Sequence, residues 1–577
     1  MWYQALACDF DGTLATRDRL DPDATAALIR AREAGLRLML VTGRTFFELL
    51  RVCERLDLFD AVVAENGAVI YFPDSGTVRD QGPPPPHRLA SELDRRGVSY
   101  QVGRVIMATA RGDEALVGEA LTAAGVTRDL IYNRDSLMLL PPGVSKGNGV
   151  ERVLATLGLS FHDVLGIGDA ENDLDLFRAC GWSGCPGDAV ESVRRQADWV
   201  FPGRDGKAVA AAIVGPILHG QLPVHRSPRH RIGIGWVIES SELVAIPARG
   251  VNVLITGDPL SGKSWLAGAL VERLVEARYA VCILDPEGDY WALARLSGAQ
   301  SVEIHDEAAM VQSLSRFEQE PSACLVADLS LAPRERRPSI VGAALEAIRE
   351  LRRRRGRPHW VVIDEAHEAL REGGVTDQVA GMEDKGFVLA TYRPARLRAS
   401  VMAALDVFIV GRTSALDQAA SLGARLGPEL GRRASAVVPR LPSGEFLVVQ
   451  PDQAGEWIPL TFMAPPRQTA HVRHHQKYAD TCVPPDRRFF FRRPDGGVVA
   501  AADSLDSFRR AVLEVDEATL AHHVNHGDFS RWVSDVFSDR ELARQLRKME
   551  ARGHRGEVSD LRAAIDGLIT LRYGPER

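Results

Sequence analysis

The sequence predicts two α/β units with mainly parallel sheets, followed by a small, mainly helical one. Three observations predict it. Short, continuously apolar runs alternate with amphipathic stretches twice along the chain, the pattern of strands buried on both faces between helices. Residues 216–230, rich in Pro, Gly and His and without helical or strand period, separate the two alternations. Beyond residue 465 helical spacing takes over. The expected division is 1–215, a linker over 216–230, then 231–465 and 466–577, and 577 residues agree with it at roughly 150 per domain.

Composition removes several classes. Hydrophobic residues at 45% and charged residues at 25% are globular values, which exclude disorder, collagen and a lone coiled coil. No run approaches the roughly 20 apolar residues of a membrane span, and the N-terminus lacks a signal-peptide pattern. Seven cysteines without paired spacing argue for a reducing compartment and against disulfides or a zinc ribbon. A cytoplasmic protein without a membrane partner is expected. A net charge of −7 gives nucleic acid no whole-molecule attraction, so a DNA contact needs a local patch.

In the first unit, YQALACDFDGTLAT sets Asp9 and Asp11 at the carboxyl end of the first strand, where parallel sheets bind ligands. Two carboxylates two residues apart can divide labour. Asp9 can attack phosphorus, and Asp11 can protonate the leaving oxygen and then activate water. An Asp-Gly turn at a strand end is the plain alternative. Further along, RLMLVTG carries Thr42 and Gly43 to the same edge, and Lys146 in VSKGNGV begins a helix and brings positive charge to a phosphoryl group. GIGDAENDLDLF places Asp169, Asn172 and Asp173 after another strand, and those carboxylates with Asp9 make a hard oxygen cage suited to Mg²⁺.

The order DFDGT, TGR, SKG, GDxEND resembles the haloacid dehalogenase superfamily of Mg²⁺-dependent phosphatases over about residues 1–215. ENGA (Glu65 to Ala68) resembles the subgroup of Cof-type, sucrose-phosphate and phosphoglycolate phosphatases. The resemblance implies a Rossmann-like core with an inserted α+β cap at about 77–140, where substrate is chosen. It also implies Asp9 as nucleophile, Asp11 as acid/base, Thr42, Gly43, Lys146 and Asn172 around the phosphate, and Asp169 and Asp173 at the metal with Asp9 and the Asp11 carbonyl. Arg44 reads equally as a substrate contact or an ion pair.

The second unit offers six buried-strand candidates: NVLIT, AVCILD, ACLVAD, WVVID, FVLAT and DVFIV. After the first comes GDPLSGKS, in which Gly257, Asp258, Pro259, Leu260, Ser261, Gly262, Lys263 and Ser264 match the phosphate-binding loop pattern. Its backbone N–H groups wrap phosphates, the lysine reaches the outer oxygens, and the serine hydroxyl meets Mg²⁺. HWVVIDEAHEAL supplies the acidic partner strand: Asp364 for the Mg²⁺ shell and Glu365 to orient and deprotonate water. His367 reads as a helix-start residue. FVLAT is expected between the loop strand and the acidic strand, with Thr391 and Tyr392 at its tip.

ILDPEGDY, ATYRPARL and GRTSALD resemble segments of the HerA/FtsK group of ring ATPases, over about residues 231–462. That resemblance implies a RecA-like P-loop fold, ATP as substrate, a homo-oligomeric ring in the form of a hexamer, and Arg412 completing a neighbour's site. Tyr392 departs from it, standing where the group usually has glutamine, and a phenol cannot reproduce an amide's paired donor and acceptor. The group's N-terminal barrel is reduced to RIGIGWVIESSELVAIPA. RRRRGR at 352–357 reads either as a backbone-phosphate grip or as a solvated helix end; the absence of interleaved aromatics favours the helix end.

In the tail, Ser538 and Glu541 fit a capping box. His522 and His526, with His523 and Asp528 nearby, have metal-ligand spacing, but polar packing around Phe529 and Trp532 is the more ordinary reading. The expected protein is a bifunctional Mg²⁺-dependent phosphatase and ring ATPase, acting on a phosphorylated small molecule or nucleotide, with DNA as a candidate partner in repair or defence. The alternative is a sugar-phosphate or phosphoglycolate phosphatase with a regulatory or scaffolding ATP-binding domain.

Overall fold

Strand β1 (Ala5–Asp9) is buried along its whole length. Leu6 and Cys8 face one core layer and Ala5 and Ala7 the other. Burial on both faces is why the run reads as continuously apolar rather than alternating. The computed structural model describes residues 3–222, 230–373, 381–413, 428–451, 456–470, 483, 485–537 and 539–573. The chain divides into two units, the first comprising Met1–His230 with Phe317–Pro321 and Glu350–Arg357, the second Arg231–Arg316, Ser322–Arg349 and Pro358–Arg577.

The first unit holds an eight-stranded sheet. Besides β1 it uses β2 (Arg37–Val41), β3 (Ala61–Ala64), β4 (Val69–Phe72), β5 (Thr77–Asp80), β10 (Val164–Ile167), β11 (Trp182–Pro186) and β12 (Trp199–Phe201), in the order β12-β11-β10-β1-β2-β3-β4-β5. Parallel pairing of β10, β1 and β2 brings their carboxyl ends to one edge, with Asp9 opposite Val41. Thr42 follows β2 directly and Asp169 follows β10 after Gly168, so three separated motifs converge by register alone. A second, four-stranded antiparallel sheet, ordered β8-β9-β7-β6, comprises β6 (Tyr100–Val102), β7 (Met107–Ala110), β8 (Asp129–Asn133) and β9 (Ser136–Leu140). Helices His87–Arg95 and Glu114–Ala124 pack with it. Thr77–Asp80, placed by sequence at the start of the insertion, pairs antiparallel with β4 and extends the main sheet instead. Of the expected linker 216–230, residues 223–229 lie outside the described residues.

The second unit holds an eleven-stranded sheet. Its strands are β13 (Arg231–Val237), β14 (Leu243–Pro247), β15 (Val253–Thr256), β16 (Val281–Asp285), β17 (Ala299–Glu303), β18 (Cys324–Asp328), β19 (Trp360–Ile363), β20 (Phe387–Thr391), β21 (Val407–Val410), β22 (Glu445–Pro451) and β23 (Trp457–Met463). The order is β14-β13-β23-β22-β21-β15-β20-β19-β16-β18-β17. All six apolar candidates are strands, and β20 lies between the loop strand β15 and the acidic strand β19, as expected. The expected remnant of a barrel is the β13–β14 hairpin, joined to the same sheet through β23.

The C-terminal part pairs β24 (Phe489–Arg492) with β25 (Val498–Ala502) and packs them against helices. Among these are α4 (Leu505–Glu514), α5 (Glu517–His526), α6 (Asp528–Trp532), α7 (Arg540–His554) and α8 (Leu561–Tyr573), numbered after α1 (Lys146–Leu157), α2 (Lys263–Glu276) and α3 (Arg337–Arg355). Phe489, Phe491, Phe508 and Phe529 form its aromatic centre. His523 is buried there, its Nδ1 2.7 Å from Asp528 Oδ2 and its Nε2 accepting from the Arg492 N–H at 2.8 Å, so it ties helix to hairpin. The ordinary reading of the histidines is the one the structure supports. Ser538 of the expected capping box lies outside the described residues. Arg352 to Arg355 occupy the last turn of α3, and Gly356 leaves it at φ 74°, a cationic helix end that suits the dipole. No helix among the described residues is long and apolar enough to cross a membrane.

Candidate active sites

At the carboxyl edge of the first sheet, Asp9, Asp169 and Asp173 bring carboxylate oxygens within 4.8 Å of one another, all buried. They are the one such group of three metal-competent side chains among the described residues. Lys146, the first residue of α1, is itself 1% exposed and donates to Asp9 Oδ1 at 2.5 Å and Asp173 Oδ1 at 2.6 Å. Ser145 caps α1 by accepting from the Asn148 N–H, which fixes where the lysine starts.

Burial, reinforced by Asp173 and Asp169, pushes the Asp9 carboxyl up against the pull of Lys146. Asp169 is pushed up to about 6 by burial and then by Asp173, with Arg134 and Thr13 opposing. For Lys146, burial disfavours the ammonium, but the two carboxylates outweigh it and raise the group. Three carboxylates face the Lys146 ammonium and, at the rim, the Arg134 guanidinium, which leaves an excess of negative charge, and a hard divalent cation is the partner such a donor set fits.

The surroundings hold this set rigidly. Thr13 Oγ1 donates to Asp169 Oδ1 at 2.9 Å, and Asp173 Oδ2 accepts from the Asp169 and Ala170 N–H groups. Gly12 has φ 76°, and a Cβ there would lie 2.6 Å from Asp169 Oδ2, so only glycine admits this approach. Gly43 lies beside Asn172, whose Nδ2 would be 3.2 Å from a Cβ on that glycine. Asn172 also donates to Asn66 Oδ1 at 3.1 Å. Thr42 is fully buried and accepts from the Arg44 N–H at 3.1 Å. Thus Asp9, Thr42, Gly43, Lys146, Asp169, Asn172 and Asp173 share one edge.

Asp11 stands apart from the trio with its side chain partly exposed. Arg44 grips it in two hydrogen bonds, Nε to Oδ2 at 2.7 Å and Nη2 to Oδ1 at 2.6 Å, and also reaches Asp18 and Glu48. The ion-pair reading of Arg44 is therefore realised on an expected site residue. The roles of two further residues escape a reading of the sequence. Glu65 of ENGA, fully buried at φ 52°, accepts from the Phe46, Arg104, Val105 and Ile106 N–H groups, tying the core to the insertion. Arg134, at the turn between β8 and β9, donates to Asp169 Oδ2. ENGA is a visible signal for Glu65; nothing in the sequence marks Arg134.

In the second unit the loop after β15 leads into α2 at Lys263. Gly257 at φ 149°, Leu260 at φ 68° and Gly262 at φ 100° give it a tight course with three residues at positive φ. Asp258 N–H donates to the Arg412 carbonyl at 2.6 Å, Ser261 N–H to the Asp258 carbonyl at 3.2 Å, and Ser443 Oγ to the Leu260 carbonyl at 2.8 Å. Lys263 Nζ donates to the Asp258 carbonyl at 2.9 Å, a bond that a phosphate oxygen competing for this lysine has to replace. Pro259 completes the loop, and Ser264, second in α2, is partly buried.

Register joins the rest. Thr256 pairs with Thr391 on one side and Val410 on the other, and Ile363 pairs with Leu389. Asp364 and Glu365, both buried, follow β19 directly. Glu365 has φ 45° and ψ 42°, a strained conformation for a non-glycine residue of the kind that collects at functional sites. His367, read from sequence as a helix-start residue, lies 2.9 Å through Nδ1 from Thr391 Oγ1 and 3.5 Å from Glu365 Oε2, with its ring edge-on to Tyr392 at 4.9 Å. Asp285 of DPEGDY is fully buried and accepts from the Glu287, Gly288, Asp289 and Tyr290 N–H groups, which explains why that string needs its first aspartate.

Residues 6–85 and 123–213 match the family model described as haloacid dehalogenase-like hydrolase. The phosphoglycolate phosphatase of Methanothermobacter thermautotrophicus is 32% identical over 219 residues, which are 36% of this chain and 97% of that protein. The chain belongs to the haloacid dehalogenase-like hydrolases. The phosphoglycolate phosphatase of Aeropyrum pernix is also 32% identical, over 35% of this hydrolase and 88% of the relative. A haloacid dehalogenase-like hydrolase structure from Bacteroides thetaiotaomicron aligns with 37% of this chain and 98% of its own, at 20% identity and a TM-score of 0.34. Residues 254–379 match the family model described as helicase HerA, central domain. This hydrolase therefore carries a phosphatase domain and a HerA-type P-loop ATPase domain in one polypeptide.

Proposed function

We propose that the phosphatase domain cleaves small phosphomonoesters, 2-phosphoglycolate among them, through an aspartyl-phosphate on Asp9, while the second domain hydrolyses ATP as a homo-hexameric ring that engages DNA. The observation that carries the first part is the buried trio Asp9, Asp169, Asp173 threaded by Lys146. The names of the relatives support the substrate.

In this reading the Asp9 carboxylate attacks phosphorus and the ester oxygen leaves with a proton from Asp11. Asp11 then takes a proton from the water that cleaves the acyl phosphate, and orthophosphate departs. Lys146, Thr42 and the backbone at Gly43, with Asn172, hold the phosphoryl oxygens. Asp9, Asp169, Asp173 and the Asp11 carbonyl would hold Mg²⁺, which supplies charge neutralisation between nucleophile and phosphate. Arg44 orients Asp11, and its grip has to loosen when Asp11 carries a proton.

In the ATPase domain the loop from Gly257 to Ser264 cradles ATP. Lys263 stabilises the outer phosphates, Ser264 and Asp364 would hold Mg²⁺, and Glu365 orients the attacking water. In the proposed ring Arg412, whose backbone carbonyl anchors the loop, would complete the site of a neighbouring subunit. The word helicase in the name of the matched domain supports DNA as the partner.

Phosphate release from a panel of 2-phosphoglycolate, sugar phosphates and nucleotides tests the first part. The expected result is highest kcat/KM on 2-phosphoglycolate; preference for a nucleotide would contradict it. For the ring, ATP turnover is expected to rise with added DNA, and the stimulation to fall steeply with salt as released counterions are restored. A response that is flat with DNA would contradict DNA engagement and favour a switch-like ATP domain. Arg412→Ala separates binding from hydrolysis: ATP affinity is expected to persist and turnover to collapse, and wild-type subunits mixed with mutant ones should lose activity together. Unchanged turnover in Arg412→Ala would remove the neighbour-completed site.

A further inference from the structure

We infer that Arg134 is the specificity-determining residue of the phosphatase, reading a carboxylate on the alcohol side of the phosphomonoester. The inference rests on the proposed small-substrate reading and deepens it.

Pairing of Asn133 with Ser136 leaves Arg134 and Asp135 as the two residues of the β8–β9 turn. The turn therefore carries Arg134 at the extreme tip of the insertion's sheet, and its guanidinium reaches Asp169 on the core. Arg134 sits at φ 51°, a conformation that glycine or asparagine would adopt with less strain, so this position serves the side chain rather than the turn. Its own N–H donates to Glu171 Oε2 at 3.3 Å, which docks the tip beside Asp169.

The guanidinium is poised rather than consumed. Its side chain is 54% exposed while Asp169 is 1% exposed, and of the guanidinium nitrogens only Nη2 has a hydrogen-bond partner among the described residues. Arg134 and a divalent cation compete for the one Asp169 carboxylate. A fork displaced from it remains at the rim of a site whose substrate is anionic, and guanidinium geometry matches a carboxylate through two parallel hydrogen bonds. Neutral alcohols attached to the phosphate offer this fork nothing to bind.

The test uses a matched pair, 2-phosphoglycolate and 2-hydroxyethyl phosphate, which differ in having a carboxylate or a neutral hydroxymethyl group beside the ester carbon, on the full-length Mg²⁺-loaded protein. Arg134→Met is expected to lower the ratio of their kcat/KM values by about ten- to hundred-fold, mainly through KM for 2-phosphoglycolate. Arg134→Lys, which keeps the charge but not the fork, is expected to recover part of the ratio and stands in if the methionine variant does not fold. Calorimetric binding of the non-hydrolysable 3-phosphonopropionate is expected to weaken in parallel, while that of propylphosphonate changes less. An unchanged ratio and unchanged phosphonopropionate affinity, in a wild type that prefers 2-phosphoglycolate, overturn the assignment and leave the substrate reading standing. A wild type that cleaves other phosphomonoesters but not 2-phosphoglycolate overturns that reading itself.

Discussion

Asp9→Asn is expected to lower phosphatase turnover by at least about a thousand-fold, because removing a nucleophile removes the covalent route altogether. ATP hydrolysis by the same chain is expected to stay at the wild-type rate, since the ATP loop is built from Gly257 to Ser264 on a different sheet. The comparison is informative because the substitution is close to isosteric. The amide that replaces the carboxylate keeps an acceptor oxygen for Lys146, and loss of one of three crowded carboxylates relieves repulsion that burial makes costly. Loss of turnover with an intact fold therefore reports chemistry. Retention of more than about a tenth of wild-type turnover would place the nucleophile elsewhere.

Lys263→Ala is expected to lower ATP turnover by about a hundred- to a thousand-fold, the scale of losing a principal stabiliser of developing negative charge. Phosphatase turnover is expected to be unaffected. Lys263 is half-buried at the start of α2 and donates across its own loop to the Asp258 carbonyl, so its removal breaks a local hydrogen bond rather than the packing of the sheet. A variant that folds and still turns over ATP at more than about a tenth of the wild-type rate would contradict the assignment of this lysine to the outer phosphates.

Legibility in the sequence follows the range of the interactions. DFDGT, the ATP loop and VVIDE are readable because each puts several reacting groups within a few residues of a strand end, where chemistry and backbone geometry coincide. Register does the rest: Thr42 and Asp169 reach Asp9 simply because β2 and β10 flank β1 in parallel. Strand β17 escapes the apolar-run criterion because AQSVE, an edge strand with polar positions, lacks the pattern that marks its neighbours. Thr77–Asp80 falls inside the insertion only because the resemblance places the cap at about 77–140; TVRD is polar and mostly exposed, as an edge strand of the main sheet can be, so no apolar run marks it as part of the core. Arg134 is illegible, and Glu65 is visible in ENGA without its role, for a different reason. Both act across the gap between insertion and core, on partners 35 to 41 residues away, and a single sequence carries no trace of which residues meet there. His367 is visible in DEAH, but only the neighbouring β20 shows that its ring bridges Thr391 and Glu365.

The most direct test of the whole account is to quench the Mg²⁺-loaded protein with acid during turnover, reduce the acyl phosphate with borohydride and map the modified residue by peptide mass spectrometry. The account predicts modification at Asp9 in the wild type and none in Asp9→Asn. Modification at any other carboxylate, or turnover that leaves no trappable acyl phosphate at Asp9, would contradict it.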